Sequence, residues 1–363
     1  MTSPKNTNCR FFAIVSRFRG LPSGALPPLE TTMIIDAHVH LMGINPRNGC
    51  YVSPKLSGGW AFAWLSRALG LAGVSREDLD QAYAAQVLRW VEESELDAAG
   101  LLAFDAIYDA AGHYDHERTR VYISNDYLFE VCARSEKLLP IASVNPQRRD
   151  AIDELERVVE RGAVAIKLLP NSQDIDLGRE SYRGFWEKMA ALNIPLLTHT
   201  SFEHTIPPVN QAWGKPERLR LPLECGTRVI AAHCAGSGVV HPFREDYDQW
   251  RQMLDDYPNL YGDISAMASL SRFPYIHKVL GDATARSRVI MGSDFPVPAN
   301  PWVFANQIGW ARARELHAME NPLQRNLEIF RALGVDDAML TRAASVLCLP
   351  EAAAAHTTRG AGE

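Results

Sequence analysis

The chain has 363 residues, 47% of them apolar and 22% charged, the balance of a folded globular protein rather than a disordered or fibrous one. A formal charge of −6 gives no basic surface of the kind nucleic-acid binding requires, and no apolar run reaches membrane-spanning length. The six cysteines (Cys9, Cys50, Cys132, Cys225, Cys234, Cys348) form no CxxC pair, which argues against a disulfide framework or zinc ribbon and for a reducing, cytoplasmic compartment.

Residues 1–32 carry Lys5, Arg10, Arg17 and Arg19 and no acid before Glu30. The apolar run Phe11–Val15 is too short for a secretory core, and a basic leader is the alternative to a plain arm. The expectation is a flexible N-terminal extension, with Met33 as the natural beginning. From Met33 onward short apolar strands alternate with helical stretches. Strands are expected at Met33–His38, Ala99–Phe104, Leu138–Val144, Ala163–Leu168, Ile194–His199, Arg228–His233, Leu260–Ile264 and Arg288–Gly292. Segments such as Ala151–Arg161, Tyr182–Leu192 and Arg244–Asp256 place apolar residues at helical spacing. Near-continuous apolar strands are those of a parallel sheet covered on both faces. Eight such units predict an α/β fold, a (β/α)8 TIM barrel in a single domain over residues 33–350. A dinucleotide-binding sheet would need a GxGxxG turn after the first strand, where this chain has His38-Val39-His40-Leu41-Met42-Gly43. A loose tail, 351–363, follows. Long βα loops are expected at 41–75, 105–119 and 200–218, where a barrel builds its pocket.

The chemistry sits at the strand ends. Strand 1 closes on His38-Val39-His40, and residues two apart share a face. Strand 4 carries Lys167 inside Val164–Leu169, strand 5 ends in His199, strand 6 in His233, and strand 8 runs into Gly292-Ser293-Asp294-Phe295-Pro296. In a closed barrel these ends meet at one mouth, so His38, His40, Lys167, His199, His233 and Asp294 form a candidate ligand set for a divalent cation. A lone buried histidine is usually a hydrogen-bonded core residue; recurrence at matching strand ends is what makes these six a set. A bound cation acidifies water. Asp294 can take the proton and hand it to a leaving group.

This pattern resembles the amidohydrolase superfamily, with HxH on strand 1, Lys on strand 4, His on strands 5 and 6 and Asp on strand 8. The strings Asp36–His40 and Gly292–Pro296 look like its amidohydrolase-related branch, which includes enzymes similar to aminocarboxymuconate-semialdehyde decarboxylase. The resemblance spans about Met33 to Pro350. It implies His38, His40, Lys167, His199, His233 and Asp294 as metal ligands, with Asp294, Lys167 and His233 as catalytic groups. Zn2+ is the favoured ion, as one or two ions, with Mn2+ and Fe2+ as alternatives. Lys167 is expected as a carboxylated bridge between two ions, as a bare amine, or as a structural lysine.

Other residues carry weaker signals. Asp36 shares the face of His38 and is read either as orienting a ligand or as a strand-start polar group. Asp263 ends strand 7 and is read as a supporting or a structural carboxylate. One of His113, Tyr114 and His116, in a loop with Asp105, Tyr108 and Arg118, is expected to touch substrate. His204 is expected to be an exposed loop residue and Cys234 a packing one. Trp60 and Trp64 suit one helical face packed into the core, with a lid as the alternative. The expected activity is metal-dependent hydrolysis of an amide, ester or lactone of a small organic acid. The runner-up is non-oxidative decarboxylation, and a metal-free binding protein on the same barrel is a third class. The expected partner is a small-molecule substrate, with no nucleic acid and no membrane, and a homo-oligomer stays open.

Overall fold

The computed structural model describes residues 33–239 and 245–349; the expected N-terminal extension and C-terminal tail lie outside them. Eight parallel strands follow one another in chain order around a single sheet. They are β1 (Ile35–His40), β2 (Ala98–Leu102), β3 (Leu138–Ala142), β4 (Ala165–Leu168), β5 (Leu196–Thr198), β6 (Val229–Ala231), β7 (Leu260–Asp263) and β8 (Val289–Ile290). The first seven contacts are parallel ladders, regular except for one register shift between β1 and β2. The sheet closes differently. The chain beyond β8 lies along β1, where Ala37 N donates to Met291 O (3.1 Å), Asp294 N to His38 O (2.9 Å) and His40 N to Phe295 O (2.8 Å). The expected (β/α)8 barrel is the observed fold. Among the described residues no helix is long and apolar enough to cross a membrane.

Two apolar layers follow from strand alternation. Ile35, Ala37, Leu102, Ile141, Ala165, Leu197, Ile230 and Ile290 fill the barrel, and Val346 and Leu347 join them with Met33. Val39, Leu101, Ile166, Leu168, Leu196, Val229 and Val289 face outward into the larger cluster. The expected helices appear at Ala151–Glu160, Arg183–Ala191 and Asp246–Asp256. In the first of these, Asp153 and Glu154 sit in the opening turn and Arg157 in the last, the polarity a helix dipole favours.

Alternation breaks at one informative place. In β1, Asp36 pairs with Ala99 but Val39 pairs with Leu101, so β1 carries one extra residue. Such a bulge reverses which residues face inward. Ile35 and Ala37 point into the barrel before it, whereas Val39 points out after it. His38 and His40 thereby reach the interior. Asp36 holds the kink, since its Oδ1 accepts from His38 N (3.1 Å) and from Ser293 N (2.8 Å). Of the two readings of Asp36, the orienting one is what the contacts match, and it acts through the backbone of the β1 and β8 ends rather than on an imidazole, as a short Asx side chain readily does.

Candidate metal centre

Five of the six predicted side chains, His38, Lys167, His199, His233 and Asp294, are almost fully buried, and His40 is partly open. His38, His40 and Asp294 each offer one donor atom within 4.8 Å of the others. Asp294 Oδ1 lies 3.2 Å from His38 Nε2 and 3.1 Å from His40 Nε2. Lys167 Nζ lies 3.1 Å from His38 Nε2. The His233 ring stacks on His38 with centroids 5.5 Å apart, and His199 meets His233 edge-on at 5.2 Å. The six residues thus form one continuous group.

Hydrogen bonds behind the rings fix which nitrogens face inward. Asp263 Oδ2 is 2.7 Å from His38 Nδ1. An ionised carboxylate accepts, so His38 Nδ1 carries the proton and Nε2 keeps its lone pair. His233 Nδ1 sits 3.0 Å from the carbonyl of Ser265; a carbonyl only accepts, so His233 Nε2 is also left with a lone pair. Asp263 is itself held by His233 N at 2.7 Å, by Ser265 N at 3.1 Å and by the Ser265 hydroxyl. Of the two expectations for Asp263, the supporting carboxylate is the one observed. His199 differs. Its Nε2 faces Phe202 O (3.3 Å) and Glu203 Oε2 (3.4 Å), which holds it outside the tight cluster of three.

Electrostatics match this arrangement. Burial pushes His38 and His233 below the usual imidazole value, so they are neutral at pH 7. Burial opposes ionisation of Asp294, yet His233, His38 and His40 around it hold its carboxyl well below the usual range. Burial also brings the Lys167 amine down to about 8, a shift that Asp263, Asp294 and Glu203 partly offset. Burial takes His199 down to about 4 against the pull of Glu203.

A divalent cation fits these donors. His38 Nε2 and an ionised oxygen of Asp294, both acceptors, lie 3.2 Å apart, with the Lys167 amine 3.1 Å from the same nitrogen, so positive charge is what this cluster of acceptors calls for. Two ligands each about 2.1 Å from an ion and at right angles to it are about 3 Å apart, close to the separations found here. One backbone feature makes the room: a Cβ on Gly292 would fall 2.9 Å from His38 Cβ.

Other predicted residues lie elsewhere. Tyr108, His113, Tyr114 and His116 line an open cleft of about 570 Å3 with Tyr51, Tyr122 and Arg148, and none of the six central residues lines it. Arg118 pairs with Asp174. Asp105 takes hydrogen bonds from Asn145 N and the Tyr108 hydroxyl, a local structural role. His204 is exposed, as expected, and Cys234 is buried with its thiol donating to Asp263 O. Trp60 and Trp64 do share a helix, Trp60–Ala68, but are 84% and 54% exposed. Core packing is thus corrected for both, because that helix buries none of its residues. Glu203 and Arg272 are the neighbours the sequence did not reveal. Both come from βα loops, which carry no periodic signal.

Residues 35–328 match the sequence profile of the amidohydrolase family. The chain belongs to that family. No curated protein matches it in sequence. Among solved structures, this amidohydrolase resembles an uncharacterised TIM-barrel protein from Bordetella bronchiseptica at 14% identity and a TM-score of 0.59, covering 89% of this chain and 99% of that one. A probable 2-pyrone-4,6-dicarboxylic acid hydrolase from Acinetobacter baumannii, with citric acid bound, is similar at 13% identity and TM-score 0.51, over 87% of this chain and 98% of the other. A 5-carboxyvanillate decarboxylase from Sphingomonas paucimobilis is similar at 14% identity and TM-score 0.51, over 88% of this chain and all of the other. At such identities the likeness speaks for the fold alone.

Proposed function

We propose that this amidohydrolase is a metal-dependent hydrolase of an amide, ester or lactone in a small organic acid, with Asp294 moving the proton. The observation that carries this is the ionised Asp294 carboxylate set 3.1–3.2 Å from two imidazole nitrogens whose rings converge on it. A divalent cation held by His38, His40 and Asp294 would supply Lewis acidity toward a carbonyl and toward water. Asp263 keeps His38 in the tautomer that presents Nε2. Asp294 accepts a proton and returns it to the leaving group. His233 Nε2, neutral and turned inward, is placed to bind the ion or to steady the carbonyl oxygen. Lys167 acts beside His38. Its Nζ lies 3.1 Å from Nε2 and is proposed to work as a bare amine beside one ion, with a carboxylated lysine bridging two ions as the alternative.

Zn2+ is the proposed ion, since an imidazole–carboxylate set suits it; Mn2+ and Fe2+ are the competitors. The five described cysteines are free, in keeping with a reducing cytoplasm. The partner is proposed to be a small molecule.

Non-oxidative decarboxylation is the second reading, and His199 is the observation that favours it: it stands beside Glu203 outside the cluster of three, and the pair, rather than the neutral imidazole alone, would relay a proton to carbon. The experiment is to measure metal content of the purified protein, then to assay a panel of lactones, esters and amides of dicarboxylic acids beside aromatic and dienoic acids. Acid release without CO2 is expected, lost on chelation and restored by Zn2+ or Mn2+. Release of CO2 with loss of one carboxyl group would replace hydrolysis by decarboxylation. A folded protein that binds no divalent ion would overturn both.

A further inference from the structure

Arg272 lies in the loop after β7, just before the helix Phe273–Gly281, and is 7% exposed. A guanidinium removed from water normally has a carboxylate partner. Among the described residues Arg272 has none within 4.0 Å; its only donated hydrogen bonds run to two carbonyls. Nε reaches Gly236 O in the loop after β6 at 3.0 Å, a sound bond. Nη2 reaches Phe202 O, in the loop after β5, only at 3.5 Å, the outer limit for such a bond. Nη1 donates to no described residue. Phe202 O is shared, because His199 Nε2 lies 3.3 Å from it on its own account. The fork of Arg272 therefore sits against the same loop as His199, at the β5–β7 side of the mouth. Its charge is felt at His199, His233 and Lys167, and it works to lower the proton affinity of all three.

An arginine of this kind is under-used by its own protein. Its planar fork matches a carboxylate in a way a lysine does not. The three carboxylates of the centre, Asp263, Asp294 and Glu203, face one guanidinium and one amine, so a bound divalent cation would leave the mouth with excess positive charge. An anionic ligand is what such a mouth attracts.

We propose that Arg272 anchors a carboxylate of the substrate other than the reacting group, so that the natural substrate carries a free carboxylate on the β5–β7 side of the centre. This rests on the barrel mouth being the substrate site, as in the function proposed above. A structural strut tying the β5, β6 and β7 loops together is the competing role, and it predicts a different outcome.

The test is calorimetric binding of two near-isosteric probes to the metal-containing protein as purified: isophthalate, and 3-carbamoylbenzoate, which replaces one carboxylate by a neutral amide. The wild-type protein is expected to prefer isophthalate by about 10–100-fold, the span of a charge-assisted pair. Arg272→Gln should abolish that preference, costing isophthalate about tenfold or more beyond any loss for 3-carbamoylbenzoate. Arg272→Lys keeps the charge but loses the fork, and should narrow the preference by about tenfold; it decides the matter if the glutamine variant does not fold. No preference in the wild type, a preference that survives in Arg272→Gln, or an equal loss for both probes in either variant would overturn the proposal, the last pointing to a strut. Binding needs no turnover. A preserved preference in a protein that hydrolyses nothing would remove the hydrolase reading and leave Arg272 standing.

Discussion

Two parts of the barrel rim build the centre in different ways. His38, His40 and Lys167 project from strands that are paired to their neighbours by ladder hydrogen bonds. His233 and Asp294 sit where the chain has left its strand in a left-handed turn, with φ of 58° and 63°. Non-glycine residues avoid that region, at a cost on the order of 1–3 kcal/mol each. Alternation alone would point His233 outward, since Ile230 and Ala232 face into the barrel. The turn at His233 brings the ring back to the mouth. The ladder supplies a fixed pair of imidazoles and an amine, and the strained turns aim the remaining histidine and the acid at them. Strain at the rim is tolerated where the position of a polar group matters more than local backbone ease.

The largest expected effect tests the turn-borne half. Asp294→Asn is nearly isosteric, so the fold should persist, but an amide is a poor proton acceptor. Turnover on the best substrate of the panel should fall by about 10²–10⁴-fold, the usual worth of general acid–base catalysis. Added metal should not restore it. His38→Ala, on the ladder side, should instead empty the centre, and activity should recover in part with excess Zn2+. Near-normal turnover in metal-loaded Asp294→Asn would dissolve the division of labour drawn here, and a mechanism in which a histidine moves the proton would take its place.

Next in size is Asp263→Asn, which acts through His38. The amide can no longer hold an ionic contact to Nδ1, and a flipped amide presents its NH2 there instead of its oxygen. Metal affinity should fall by about 10–100-fold, in line with losses of partners that orient ligands. Titration with Zn2+ against a competing chelator reads this directly. Gly292→Ala probes the seam itself. Its new methyl would collide with His38 Cβ, the two carbons being 2.9 Å apart, and overpacking of this kind costs about 1–3 kcal/mol. A lower Tm together with weaker metal binding is expected. A lower Tm with unchanged metal affinity would mean that His38 is held by Asp263 and Lys167 alone and owes nothing to the close approach of β8.

The same contrast explains what could be read in advance. His38, His40 and Lys167 stand out because a buried parallel strand is written as an apolar run, and a polar interruption near its end needs a reason. Residue type and strand-end position also pointed to His199, His233 and Asp294, although not to the left-handed turns that aim two of them. The bulge at Asp36 was hidden, because strict alternation predicts a shared face for Asp36 and His38. Asp263 was half visible as a carboxylate at a strand end. Glu203 and Arg272 gave no signal, since loop residues obey no period and their burial depends on how three separate loops meet.

The smallest effect is expected far from either part of the rim. The helix Trp60–Ala68 belongs to the long insertion after β1, and it contributes no buried residue although Phe62 and Leu65 rest partly on the core. Trp60 and Trp64, one turn apart, present most of their rings to solvent. Surface substitutions of this kind usually change stability by less than about 0.5 kcal/mol. Trp60→Ser and Trp64→Ser should therefore leave the urea midpoint and the metal affinity as they are. If either variant raised KM while kcat and metal affinity stayed put, the insertion would be covering the mouth during turnover, and the division of the rim into ladder and turn would need this helix as a third contributor. With KM also unchanged, the helix stands outside the chemistry, and the centre is complete without it.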